Sequence, residues 1–155
     1  MAQTNPQPLQ TALVYGLVSG MALGVGEIAL GLSTAVIPYP LVILVGRLSL
    51  VLLVLAYLYA GYQAARRTGR VFAGTLAGAF TGVFGVLTII FLLYVVAFIG
   101  SFFLLNPLAL LGIPTNLLGA SVVLSPLVSI ILTFAAYGAI AGTFAGYIGK
   151  QRALH

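Results

Sequence analysis

FAGTLAGAFTGVFG, residues 72–85, places Gly74, Gly78, Gly82 and Gly85 at steps of four, four and three inside an apolar run. At about 100° per residue a helix brings these four within roughly 80° of one another, so that one face of it is bare. The same spacing returns in YGAIAGTFAGYIG, residues 137–149, at Gly138, Gly142, Gly146 and Gly149. It begins a third time in YGLVSGMALGVGE, residues 15–27, at Gly16, Gly20 and Gly24, where the fourth position is Glu27, the only acidic residue of the chain.

The stripes lie in a chain of 155 residues that is 62% hydrophobic and 5% charged, outside the range of soluble globular proteins. A hydrocarbon core of about 30 Å takes about 20 apolar helical residues per crossing. The expected fold is therefore an all-α integral membrane bundle of four transmembrane helices, at residues 11–36, 41–65, 71–98 and 126–149. A transmembrane barrel is excluded, because its strands alternate polar and apolar residues and these runs do not. Residues 1–10 form a polar leader with two prolines, and Pro38 and Pro40 in IPYP separate the first two crossings. Tyr57, Tyr59 and Tyr62 suit a membrane interface at the end of the second. Residues 101–125 are apolar but broken by Asn106-Pro107, Pro114 and Gly119, which predicts an interfacial or re-entrant segment rather than a span.

The net charge of +5 does not indicate a nucleic-acid partner, because Arg66, Arg67, Arg70, Lys150 and Arg152 flank apolar runs and no base-stacking motif accompanies them. They read as topology signals. RRTGR, residues 66–70, is expected to be a tight polar turn, and residues 150–155 a short tail. With these cations inside, an even number of crossings places both termini in the cytoplasm.

Small residues four apart let helix backbones approach in a membrane, where lipid is as apolar as leucine and close packing drives association. Gly16, Gly20, Gly24, Gly74, Gly78, Gly82, Gly138, Gly142 and Gly146 are the expected packing positions, joined by Ala56, Ala60 and Ala64 of the second helix. These fall towards the cation-bearing end. Larger residues at the other end, including Phe91, Tyr94, Phe98, Phe102 and Phe103, predict helices splayed outward over a cleft that residues 101–125 would cover.

Glu27 and Arg47 are the two candidate binding residues, since a charge inside a bilayer costs several kcal/mol unless paired or hydrated. Counted from the prolines at 1.5 Å per residue, they lie roughly 16 and 10 Å below the outer end of neighbouring helices. An ion pair or a shared water is expected, so that Glu27→Gln would strand a cation. A snorkelling Arg47 is the other reading. A lone carboxylate on the first of four helices is similar to the small multidrug exporters, in which one embedded glutamate serves proton and cation. Those proteins are shorter and surround the glutamate with aromatic residues including tryptophan, whereas this chain has no tryptophan and sets Glu27 among glycines.

Catalysis, cofactors and metals are not expected. The single histidine is His155, there is no cysteine, and one carboxylate serves neither aspartyl cleavage nor a metal site. The glycines also lack the lysine of a phosphate-binding loop. AGYQAARRTGRVFAGTLAGAFTGVFG, residues 60–85, resembles small four-helix bacterial membrane proteins of uncharacterised families, whose middle hairpin carries AG-x-x-AARR-x-G before a glycine-rich helix. The resemblance implies a bacterial inner-membrane location and no activity. Two functions are compatible with all of this. One is a structural or accessory membrane protein that packs, oligomerises or joins a larger membrane complex through its glycine faces, with lipid as a ligand of that reading. The other is a small oligomeric transporter or pore that uses Glu27.

Overall fold

A computed structural model describes residues 7–34, 36–103 and 120–153. They form four helices, α1 (Pro8–Ser33), α2 (Tyr39–Thr68), α3 (Val71–Phe103) and α4 (Ala120–Ala153). All four are long and apolar enough to cross a membrane.

The helix ends differ from the expected ones for local reasons. Pro8 opens α1, where a missing N–H costs nothing and a fixed φ suits the first turn. Pro40 plays the same part in α2, with extended Pro38 as its cap, so the Pro38–Pro40 turn is shorter than IPYP suggests. Arg66, Arg67 and Thr68 are helical, and the turn expected over residues 66–70 contracts to Gly69 and Arg70. Nothing before Gly69 breaks the helix, and cations are favourable at a helix C-terminus. Gly69 ends it with φ +66°, and its N–H donates to the Ala65 carbonyl at 2.8 Å. α3 continues to Phe103, and α4 begins at Ala120 and runs through Pro126, the expected start of the fourth crossing. A proline inside a membrane helix is tolerated where its neighbours satisfy the freed carbonyl. The remainder of the interfacial or re-entrant segment, residues 104–119, lies outside the described residues.

α3 packs on α1, α2 and α4, and α2 packs on the same two outer helices, so that α1 and α4 stand on opposite sides of the α2–α3 pair. Among the described residues, burial is confined to one half of the molecule. The buried residues lie between Thr11 and Gly24 in α1, Tyr57 and Ala65 in α2, Ala73 and Val86 in α3, and Gly138 and Gly149 in α4. That half holds the Gly69 turn and the five flanking cations. Its centre is a cluster of Ala12, Ala60, Ala64, Ala73 and Ala77, against which Tyr15, Leu76 and Phe80 pack. Towards the other end Phe91 and Tyr94 are exposed.

The glycines of α3 lie against the backbone of α4. A Cβ built on Gly74 would stand 2.8 Å from the Gly146 Cα, and one on Gly78 would strike the Gly138 carbonyl oxygen and come within 2.9 Å of the Gly142 Cα. The α1 stripe uses a different face of α3, where a Cβ on Gly20 would lie 2.7 Å from the Phe84 Cβ and 2.8 Å from the Thr81 carbonyl oxygen. A fourth approach joins α2 to α4, with a Cβ on Gly61 2.6 Å from the Gly142 Cα. The glycines of the opposite half are different, since Gly26, Gly31 and Gly46 would each take a Cβ with nothing within 4 Å.

Several threonine hydroxyls in the bundle find acceptors on their own helices. Thr81 is fully buried and donates to the Ala77 carbonyl at 2.8 Å. Thr143 bonds both the Ala139 carbonyl, at 2.7 Å, and the Thr75 hydroxyl of α3, at 2.8 Å. Such back-bonding within a helix satisfies a side chain that has no water to turn to.

Candidate functional site

α1 and α2 are tied together at two levels, and the ties account for two of the three most unusual polar groups in the bundle. At the outer level the Ser49 hydroxyl of α2 donates to Glu27 Oε2 of α1. Counted from Pro40, Ser49 lies roughly 14 Å down its helix, close to the depth of Glu27. The other carboxyl oxygen, Oε1, is buried and has no hydrogen-bond partner among the described residues.

Arg47 is not that partner, which corrects the expected ion pair. It stands two positions before Ser49, about 200° around the helix, so the face that brings Ser49 to Glu27 turns Arg47 away. Arg47 is exposed on the outside of α2. There its stem can lie along lipid and its guanidinium can reach a polar level. Depth placed the two charges correctly as neighbours in height, but rotation decided the contact.

At the inner level the Arg67 guanidinium lies over the Tyr15 ring, 5.3 Å from its centroid. A cation over an aromatic face is worth roughly 0.5–1 kcal/mol at an exposed site. Arg67 therefore ties the end of α2 to α1. Between the two ties the helices line two connected hollows. The inner one, of about 310 Å³, is bounded by Gln10, Val14, Tyr15 and Arg67. The deeper one, of about 410 Å³, reaches Ala22, Gly26, Leu52 and Ala56. Val18 and Tyr59 line both. The result is a single groove that is apolar along its length and cationic at one end.

Tyr57 is the third unusual group. Its place is not the interface expected for it, since it is 1% exposed and a Cβ on Gly138 would lie 3.2 Å from its ring. Its neighbours at helical spacing, Ala60, Gly61 and Ala64, form the face of α2 that packs inward, and the bare surface at Gly138 makes room for the ring. The hydroxyl is buried without a hydrogen-bond partner among the described residues. Tyr59, by contrast, is exposed.

Sequence reasoning named Glu27, Arg47, Arg66, Arg67, Arg70, Lys150 and Arg152; among the described residues the side chains of Glu27 and Arg67 are the ones seen to meet a side chain of another helix. It missed Ser49, whose signal was a hydroxyl at the depth of the only acid, and Tyr15, whose signal was its place beside Gly16 at the level of the basic turn. Ala56 lines the groove rather than the tight seam, where Gly61 stands instead. Compared with known proteins, the chain matches no family model, no curated protein and no solved structure. The fold and its contacts define a multi-pass helical membrane protein.

The Ser49 bond makes a direct prediction. Ser49→Ala should lower stability in detergent by roughly 1 kcal/mol, since the carboxyl then has no donor. Glu27→Leu should lose less, because a lone serine hydroxyl returns to a carbonyl of its own helix. The double variant should match Glu27→Leu alone, and thermal melting of the four proteins completes the cycle. Additive losses would show that the two side chains do not act together.

Proposed function

We propose that this is a non-catalytic, accessory membrane protein of the bacterial inner membrane, with both termini in the cytoplasm. In this reading the glycine stripes serve small-residue packing within one chain, leaving its outer surface to lipid and to partner helices. The observation that carries it is the destination of the stripes. Each of the nine named glycines would, given a Cβ, meet atoms of this same chain within 3.4 Å, so these faces are already occupied. Oligomerisation through the stripes, one form of the accessory reading, is therefore set aside in favour of contacts through other surfaces.

The transporter reading keeps one specific observation in its favour. Glu27 commits one oxygen to Ser49 and leaves the other buried with no partner among the described residues, as a proton or cation site would require. Glu27→Gln separates the two readings. An amide oxygen can still accept from Ser49, and with Arg47 on the outside no cation is stranded, so the variant should keep the fold. For an accessory protein, proteoliposomes of wild type and Glu27→Gln should show the same proton and cation leak. A wild-type flux that Glu27→Gln abolishes would transfer the assignment to a transporter.

The orientation rests on five cations at one end of the bundle. Thr68→Cys in intact cells should resist an impermeant thiol reagent and react only after the membrane is opened. Labelling in intact cells would reverse the topology.

A further inference from the structure

The α1–α2 groove begins beside a guanidinium and ends about two thirds of the way along α1, a long apolar slot with a cationic mouth that suits a phospholipid better than a soluble ligand. From Gln10 to Gly26 it runs about 24 Å at 1.5 Å per residue, close to the roughly 20–22 Å of one leaflet together with its headgroup region. Its walls between those ends are mainly valine, leucine and alanine side chains, with Thr11 and Ser19 among them and Tyr59 at the join of the two hollows. Arg67 is the charged side chain at its mouth, and Arg66 and Arg70 stand beside it in sequence. No acid is near enough in height to neutralise them, because Glu27 is the chain's only one and lies beyond the far end. Cationic pockets between membrane helices at the headgroup level attract anionic lipid.

We propose that this groove is a binding site for an anionic phospholipid of the leaflet at the cation-bearing end. The lipid's phosphate lies at Arg67, with the Gln10 amide at the same mouth, and one acyl chain lies along Val14, Val18 and Leu55 towards Gly26. The Tyr15 ring holds the guanidinium from one face, which leaves its N–H edge for phosphate oxygens. The site deepens the accessory reading above by naming the chemistry of its ligand, and it rests on that reading for the leaflet alone.

The test is native mass spectrometry of the full-length protein in detergent with equal amounts of phosphatidylglycerol and phosphatidylcholine. The wild type should retain the anionic lipid about fivefold more than the zwitterionic one, the factor expected of one arginine near a membrane surface. Arg67→Gln should abolish that preference, Arg67→Lys should keep most of it, and Arg152→Gln, on α4, should change nothing. Gly26→Leu and Ala22→Phe fill the groove without touching a charge, and should reduce retention of both lipids without lowering the melting temperature. Should Arg67→Gln fail to fold, these two variants and Arg67→Lys still decide the matter. Excess inorganic phosphate should leave the bound lipid in place, since the acyl chain holds it. Equal retention of the two lipids by the wild type, an undiminished preference in Arg67→Gln, or full retention in the filled variants would each overturn the site. So would a groove that retains no lipid and instead releases a partner polypeptide on filling. Any of these results leaves the accessory reading standing, because that reading is judged by the Glu27→Gln flux and the Thr68→Cys labelling.

Discussion

Gly78→Ile should be among the most damaging single substitutions in the molecule, with a loss of about 3 kcal/mol or more in detergent. The site offers no flexible neighbour that could move aside. A Cβ at Gly78 runs into the Gly138 carbonyl oxygen and lies 2.8 Å from the carbonyl carbon, both of them backbone. Relief would require α3 and α4 to separate along the whole seam from Gly74 to Gly82, and dispersion contacts are lost steeply as such a gap opens. Overpacking a core typically costs about 1–3 kcal/mol even where side chains can rearrange. Gly142→Ile should behave in the same way, because the α4 backbone there faces Gly74, Gly78 and Gly61 together. Ala56→Gly, on the open wall of the groove, should lose no more than about 1 kcal/mol, the helix-propensity difference. Thermal melting of purified protein separates the cases, and wild-type melting of both isoleucine variants would show that the seam is not held by close approach.

The class of fold was legible because four apolar runs of membrane length allow few other outcomes. The glycine spacing also indicated which faces would be bare. It did not say which helix each face would meet, since one spacing occurs on three helices and any two could have been joined. The structure answers by giving α3 two neighbours: Gly74, Gly78 and Gly82 turn to α4, while Gly85 turns to Leu23 of α1. At about 100° per residue Gly85 falls in azimuth between Gly74 and Gly78, so the spacing by itself gave no sign of this change of partner. Helix ends were less legible, because Pro38, Pro40 and Gly69 act on single turns and the arginines before Gly69 are as compatible with a last helical turn as with a loop.

The candidate site was legible in height and not in azimuth. Proline positions gave the depth of Glu27, but a pairing between helices also depends on which way each residue faces. Two residues separate Arg47 from Ser49, and that small offset replaces an ion pair with a hydrogen bond. The replacement matters for function. An ion pair would have satisfied Glu27 within the chain, whereas a single donor leaves Oε1 without a partner among the described residues and makes flux through Glu27→Gln the deciding measurement.

The second large effect is a contrast within one helix. Gly20→Leu should destabilise the protein by about 3 kcal/mol or more, and Gly26→Leu, less than two turns further along α1, should leave it at least as stable as the wild type. At Gly20 the added Cβ would lie 2.7 Å from the Phe84 Cβ, 2.8 Å from the Thr81 carbonyl oxygen and 2.9 Å from the Gly85 amide nitrogen. Those atoms belong to the α3 backbone and the root of a side chain, so none can swing clear. At Gly26 the same Cβ meets nothing within 4 Å. Replacing glycine in a helical position with open space around its Cβ removes freedom from the unfolded chain and contributes roughly 0.5–1 kcal/mol. Equal helix propensity at the two sites cancels in the comparison, as does the hydrophobicity of leucine, so the difference in melting reports the α1–α3 seam alone. If both variants melt together, α1 is not seated on α3 through its glycines, and the packing assigned to the first helix is wrong.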